Sequence, residues 1–209
     1  MIGRVTRIAA TGALATFVAY RLILRRACLT WGATSAEADG PLPGDELLED
    51  ANLVTTRAIT IDAPPSDVFP WLVQMGVGRG GAYTHDWIEN LLGLDMHSVD
   101  RIVPELQRVE VGEMLPMQGE GTGLRIEILE PDRVFALRSE DGRWAWTFVV
   151  AGNGKGTRLI SRNRITTHGS SLALKLGMVV MEPGSLVMER KMLLGIKERA
   201  ERHVGNRGR

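Results

Sequence analysis

Apolar side chains recur at every second position in several short segments between residues 53 and 165. A period of two residues places alternate side chains on opposite faces of an extended strand, and it does not fit a helix. In the clearest segment Trp144, Trp146 and Phe148 share one face. Turn sequences such as Glu140-Asp141-Gly142-Arg143 separate neighbouring segments, so the pattern predicts an antiparallel sheet. The segments with this pattern cover residues 53–61, 124–128, 134–138, 143–150 and 158–165.

The last of these segments carries arginine on one of its two faces. Arg158, Arg162 and Arg164 alternate with Leu159, Ser161 and Asn163. Because charged side chains usually remain in water, we expect this arginine ladder on the solvated face of the sheet.

Two short helices are predicted between the first two strand segments. Pro65 favours a helix start, and Val68 and Trp71 then follow helical spacing. The glycine-rich stretch 76–81 forms a turn, and Thr84 is the expected N-cap of the second helix.

The C-terminal part of the chain is predicted to be helical. Residues 185–203 form a long amphipathic helix with one apolar and one charged side. The preceding residues 172–181 are apolar but too few to span a bilayer, which needs about 17–25 residues. We expect them to form a buried or gate-forming helix.

Composition excludes several classes of protein. The 25 basic residues balance the 25 acidic ones, so no net charge favours nucleic acid as a partner. Hydrophobic residues at 44% and charged residues at 24% are values of a globular chain rather than a disordered one. With Cys28 as its single cysteine, the chain forms no internal disulfide and no cysteine-based zinc site. We predict neither a metal nor a cofactor.

Charge is segregated near the N-terminus. Residues 1–26 contain arginine but no acid, residues 27–52 contain acids but no base, and residues 8–20 are uncharged. Three interpretations fit: a membrane anchor over residues 4–26, a helix packed on its own domain or on a partner, and a cleaved signal peptide. The protein is accordingly expected to be cytoplasmic or membrane-associated through its N-terminal helix.

These patterns divide the chain into four parts. Residues 1–26 form the hydrophobic helix, and residues 27–52 form an acidic linker that contains the sequence Gly-Pro-Leu-Pro-Gly-Asp. Residues 53–204 form the domain proper, and residues 205–209 are a tail.

The order of strand, two short helices, antiparallel strands and long C-terminal helix resembles the SRPBCC superfamily. This is the START / Bet v 1-like group that includes polyketide cyclase/dehydrase-like proteins. The resemblance is carried by residues 57–65, by Ile128 to Val134 and by Gly156-Thr157-Arg158-Leu159, and it covers about residues 53–204. The stretch from His97 to Pro104 is similar to that of bacterial members with a hydrophobic N-terminal lead.

The resemblance implies an α+β helix-grip fold, in which the sheet wraps around the C-terminal helix and leaves an apolar cavity. Members bind lipids, sterols, polyketides or hormones, and we expect this chain to bind a hydrophobic small molecule, lipid or polyketide-like. Aromatic and thioether side chains suit an adaptable apolar pocket, although the same residues would also build a plain packed core. The expected ligand-binding residues are Trp71, Met75, Tyr83, Trp87, His97, Trp144, Trp146, Phe148, Met188 and Met192.

Two other functions remain open from the sequence. A cyclase or dehydratase would use Tyr83, His97 and Asp100 at the cavity mouth, with His97 as general base and Asp100 orienting it. Asp86 could orient His85 in the same way. A membrane-anchored interaction module would instead present the arginine ladder to a protein or to anionic lipid.

Overall fold

The computed structural model describes residues 20–91, 93–117 and 123–207. Within them, six antiparallel strands form one sheet in the order β1-β6-β5-β4-β3-β2. Strands β2 to β6 therefore follow one another across the sheet, and β6 pairs with β1 at the far side. The strands are β1 Leu53–Ile61, β2 Met114–Pro116, β3 Gly123–Glu130, β4 Val134–Ser139, β5 Trp144–Asn153 and β6 Gly156–Ile165.

Helices lie on both faces of this sheet. The long C-terminal helix packs against β1 and against the helix that follows β1. A π-helical turn, Tyr20–Leu24, precedes the first helix, and 3₁₀ turns cover Asp45–Leu48 and Pro104–Leu106. The helices are α1 Arg25–Leu29, α2 Ser35–Asp39, α3 Pro65–Val73, α4 Asp86–Leu91 and α5 Leu172–Arg207.

The hydrophobic core fills the space between the inner face of the sheet and the helices α3 and α5. Phe135 and Phe148 from the sheet and Leu193 and Ile196 from α5 are fully buried within it. Trp71 of α3 belongs to the same cluster. A sheet wrapped around its C-terminal helix is the helix-grip α+β architecture that the sequence predicts, and the fold prediction is confirmed.

A bulge in β3 changes the side chains that reach the core. The register with β4 shifts between Ile126 and Ile128, because one extra residue is inserted there. Ile126 is fully buried. Strict alternation would next place Ile128 in the core, but Leu129 packs there instead. The strict two-residue pattern expected over residues 124–128 is therefore wrong at this point.

The C-terminal part is one helix and not two. Helix α5 continues through Pro183, although a proline supplies no backbone N–H for the helical ladder. Leu172, Leu176 and Met181 are exposed by more than half of their surface. These three side chains are thus not buried as expected, and the stretch 172–181 is the first part of α5. Its role as a gate stays a prediction.

Residues 25–48, which we call the docked segment, run from α5 past the edge of β1 and then over the outer face of the sheet. Arg158 pairs with Glu37 (Nε to Oε1, 2.7 Å), and Arg162 pairs with Asp45 (Nη1 to Oδ2, 2.7 Å). Leu48 is buried at the end of the segment. The residues predicted to form an acidic linker thus pack on the sheet.

The arginine ladder is therefore not on a solvated face. Arg162 is 3% exposed, and it also donates to the backbone carbonyls of Glu37, Ala38 and Gly40. The prediction failed because the acids that neutralise the ladder lie far away in the sequence. These arginines are already paired within the chain, which disfavours the ladder as a surface for a partner.

Most of the predicted N-terminal helix, residues 1–19, lies outside the described residues. In the part of the chain that the structure describes, no helix is long and apolar enough to cross a membrane. Membrane association through residues 4–26 stays a prediction.

Candidate functional site

A cavity of about 290 Å³ lies between the inner face of the sheet and helix α5. Its volume lies just below the range typical of ligand pockets, about 300–1,000 Å³. Strands β1, β5 and β6 form one wall, α5 forms the opposite wall, and α4 with the loop before it closes one side. The lining residues are Leu53, Thr55, Arg57, Ala82, Thr84, Glu89, Met96, Met117, Trp144, Trp146, Asn163, Ile165, Met178, Met181, Glu182, Ser185, Met188, Glu189 and Met192.

The apolar part of the cavity is built from tryptophan and methionine. Trp144 and Trp146 stand on the inner face of β5 with their rings stacked, 5.7 Å between centroids and 21° between planes. Met188 and Met192 face them from α5, one helical turn apart. Flat indole faces and flexible thioethers together make an apolar surface that can adapt to different ligand shapes.

The polar part of the cavity contains a buried arginine. Arg57 on β1 donates to Glu189, to the carbonyl and hydroxyl oxygens of Ser185, and to the carbonyl of Cys28. An arginine has five N–H donors, and these five bonds use all of them. Arg57 therefore holds the sheet, α5 and the docked segment together and has no donor left for a ligand.

Glu189 accepts the other hydrogen bonds at this end of the cavity. Ser161 Oγ donates to its Oε1 (2.7 Å) and Asn163 Nδ2 to its Oε2 (3.2 Å). The indole of Trp146 donates to Ser161 (2.9 Å), and that of Trp144 donates to Asn163 (2.8 Å). Burial raises the pKa of Glu189, although the Arg57 charge and the Ser161 hydroxyl act in the opposite direction. The network fixes the orientation of both tryptophan rings.

Glu182 on α5 connects the cavity to the first described residues. Its carboxylate accepts from Arg25 (2.7 Å) and from the Tyr20 hydroxyl (2.9 Å), and the Cys28 thiol donates to its backbone carbonyl (3.3 Å). Burial raises the pKa of Tyr20 above its ordinary value. The docked segment thereby closes one rim of the cavity.

The wall formed by α4 and the loop before it contains two polar atoms that have no hydrogen bond. Thr84 Oγ1 and Glu89 Oε2 are both buried, and within the described residues neither has a partner. Burial raises the pKa of Glu89 above its ordinary value. The Thr84 hydroxyl acts in the opposite direction and lowers the pKa of Glu89, although the two side chains do not meet the geometry of a hydrogen bond.

The structure places the predicted ligand-binding residues in three different environments. Trp144, Trp146, Met188 and Met192 line the cavity. Trp71, Met75 and Phe148 lie in the hydrophobic core, and the side chain of Trp87 is 68% exposed.

The predicted catalytic candidates are not brought together. Tyr83 is buried, its hydroxyl donates to the carbonyl of Trp71 (3.1 Å), and its ring lies under Arg199. His97 is exposed beside Asp95, and Asp100 pairs with Arg199 instead of orienting His97. None of the three is among the lining residues, so their positions give no support to acid–base catalysis in the cavity.

The second predicted pair is also absent from the described contacts. Asp86 accepts hydrogen bonds from the backbone and the hydroxyl of Ser98, and it does not orient His85. The part of the chain that the structure describes contains no group of three His, Cys, Asp or Glu side chains arranged to hold a metal ion.

Sequence patterns did not identify Arg57, Glu89 and Glu189 as site residues. A signal for two of them was present. Arg57 shares its strand face with Ile59 and Ile61, and Glu189 lies between Met188 and Met192 on the apolar side of the helix. A charge on an otherwise apolar face indicates either a buried ion pair or a site.

No protein-family model matches the chain, and no curated protein matches it either. It is similar to three solved bacterial structures, among others. The Polyketide_cyc-like protein Cgl2372 from Corynebacterium glutamicum shares 18% identity at a TM-score of 0.47, over 72% of this chain and 93% of that chain. MLL2253 from Mesorhizobium loti shares 15% identity at a TM-score of 0.44, over 72% of this chain and 98% of that chain. CalU16 from Micromonospora echinospora shares 16% identity at a TM-score of 0.33, over 71% of this chain and 83% of that chain.

The first of these proteins carries the family description that the sequence resemblance names. At such identities a likeness concerns the fold alone. The helix-grip assignment of this chain rests on its own strand order and on α5.

Proposed function

We propose that the protein binds a hydrophobic small molecule in the cavity between the sheet and α5. The observation that carries this proposal is the wall of Trp144, Trp146, Met188 and Met192 around a space of about 290 Å³. Burial of apolar surface stabilises a bound ligand by roughly 25 cal/mol per Å². An apolar cavity of this size is therefore a source of binding free energy that a packed core would not offer.

The arrangement of the cavity supports binding rather than simple packing. The Trp144–Asn163 and Trp146–Ser161 hydrogen bonds hold the indole rings before any ligand arrives. A surface that is already oriented loses little conformational entropy on binding, which favours affinity. The methionines on the opposite helix provide the adaptable side of the same pocket.

Native mass spectrometry of the full chain, purified without detergent, tests the proposal. We expect a discrete extra mass that organic solvent extracts, or a rise in melting temperature with at least one member of a lipid and polyketide panel. Absence of both results would contradict the proposal.

A pair of variants on α5 assigns the binding to this cavity. Met188→Trp places a larger ring in the cavity and should abolish the extra mass or the thermal shift. Val187→Trp adds the same ring at the neighbouring, exposed position and should leave both unchanged. Binding that survives in Met188→Trp would locate the ligand elsewhere.

A further inference from the structure

The cavity has an excess of acidic groups over basic ones. Glu89, Glu182 and Glu189 line it, and Arg57 is the one basic side chain among the described lining residues. Arg25 offsets the charge of Glu182 from outside the lining, and Arg57 offsets that of Glu189. Glu89 is left without an ion pair within the described residues.

The polar groups near α5 and β6 are already used by the protein. All N–H donors of Arg57 already form hydrogen bonds. The Asn163 amide donates to Glu189 and Thr55, and its oxygen accepts from Trp144. A ligand carboxylate placed there would meet no free donor on Arg57 and would lie close to Glu189. The interior therefore disfavours an anionic ligand.

Glu89 and Thr84 are different because they leave hydrogen-bonding capacity inside the cavity. Glu89 is 7% exposed and lines the cavity, yet its Oε2 has no hydrogen-bond partner in the described part of the chain. Thr84 Oγ1 on the same wall is unpartnered in the same way. A buried polar atom without a partner destabilises the protein, so a ligand that supplies the missing hydrogen bond recovers that loss.

We infer that the cavity selects an amphipathic ligand whose polar end is a hydrogen-bond donor without negative charge, an amine above all, with Glu89 as its acceptor and Thr84 beside it. This inference rests on the proposed function, because it assumes that the cavity binds a ligand. The apolar tail of the ligand then lies against Trp144, Trp146 and the methionines, and its head points toward α4.

An amine gains more than a hydroxyl at this position. Burial of a carboxylate without a counter-charge raises its pKa, and Glu89 shows such a shift. A cation within hydrogen-bond distance favours the ionised carboxylate and forms a charge-assisted bond with it. A hydroxyl group forms a hydrogen bond of the same geometry without the charge.

Three probes with one alkyl chain and different heads test the inference. They are 1-aminodecane, 1-decanol and decanoic acid, titrated calorimetrically into the full chain at pH 7 below their aggregation concentrations. A single ten-carbon chain keeps the probes small, as a cavity of about 290 Å³ requires. We expect the amine to bind most tightly, the alcohol next, and the acid at least about tenfold more weakly than the amine.

Isosteric variants identify the acceptor. Glu89→Gln keeps the shape of the side chain and removes its charge, so amine affinity should fall about tenfold while alcohol affinity changes little. Thr84→Val should weaken the alcohol and the amine by a smaller factor. Glu105→Gln removes a charge at an exposed site outside the cavity and should change neither.

The outcomes separate this inference from the proposed function. If decanoic acid binds as tightly as the amine, or if Glu89→Gln leaves amine binding unchanged, the inference is overturned while the cavity remains a binding site. If no probe binds, the inference also falls. If, in addition, no extracted mass or thermal shift is found, the proposed function fails with it.

Discussion

Arg57 on β1 and Glu189 on α5 form an ion pair in the interior, with side chains 1% and 9% exposed. The pair joins the sheet to the helix that the sheet encloses, directly beside the cavity. An ion pair removed from water is stabilising only while both partners and their additional hydrogen bonds remain. Here Ser161, Asn163 and Ser185 complete those hydrogen bonds.

Removal of one partner of this pair should be severe. In Glu189→Met the Arg57 guanidinium stays buried without its counter-charge, and the free energy of unfolding should fall by about 3–5 kcal/mol. In the double variant Arg57→Met/Glu189→Met no uncompensated charge remains, so most of that loss should be recovered. Urea unfolding of the single and double variants measures the difference, and a double variant no more stable than Glu189→Met would show that charge pairing is not the cause.

The ion pair of Glu37 with Arg158 should make stability sensitive to acid. The hydrogen bond from Arg158 is the main cause that lowers the pKa of Glu37 from 4.5 to about 2. Because the pKa is lowered in the folded state, the carboxylate stabilises the protein above about pH 4.5, and this contribution is lost as pH falls toward 2.

The variant Glu37→Gln tests this dependence. It should lose on the order of 1 kcal/mol of stability at pH 7, because the pair is partly exposed to solvent, and the difference from wild type should shrink between pH 4.5 and 2. Unfolding free energies measured across that range provide the comparison, with exposed Glu105→Gln as the control. An offset from wild type that does not vary with pH would contradict the assignment.

Two glycines of α5 should respond to alanine in opposite directions. A Cβ at Gly195 would lie 2.6 Å from the backbone oxygen of Tyr83, whereas a Cβ at Gly184 would meet no heavy atom within 4 Å. Gly184→Ala should therefore stabilise the helix by about 0.5–1 kcal/mol. Gly195→Ala should destabilise the protein by about 1–3 kcal/mol, since the helix must move away from the loop before α4. Thermal unfolding of both variants measures the two effects. Equal changes in melting temperature would contradict the close approach of Gly195 to Tyr83.

The single cysteine reports whether the docked segment stays on the sheet. Cys28 is buried, so a thiol reagent should label it slowly in the native protein and rapidly in concentrated urea. Arg162→Gln removes the ion pair with Asp45 and should accelerate native labelling about tenfold, as the segment opens more often. Arg133→Gln, at an exposed turn, is the matched control. Equal labelling rates in the two variants would show that Arg162 does not hold the segment.

The sheet could be predicted because its signal is local. The alternation of Trp144, Trp146 and Phe148 determines which face of β5 is buried without reference to any other part of the chain. The bulge at Ile126–Ile128 has no such local signal. The extra residue is recognised only from the pairing of β3 with β4, and the sequence of β3 alone does not contain that pairing.

The docked segment and the polar end of the cavity could not be predicted because their partners are distant. Arg162 and Asp45 are 117 positions apart, and Arg57 and Glu189 are 132 apart. Sequence patterns indicate that such charges exist but not which of them meet. The aromatic side of the cavity was predicted from one strand and one helix, whereas Glu89 became recognisable only when its unpartnered oxygen was seen inside the protein.

The cover on the outer face of the sheet has a practical consequence for work with shortened chains. A fragment that begins at Leu53 would lose Glu37 and Asp45, the carboxylates that neutralise Arg158 and Arg162. The bare strand would then present a cationic strip, and such strips attract the phosphates of RNA and DNA regardless of sequence. Nucleic acid that co-purifies with that fragment would be an artefact of truncation, and ultraviolet absorbance ratios for the fragment and the full chain would reveal it.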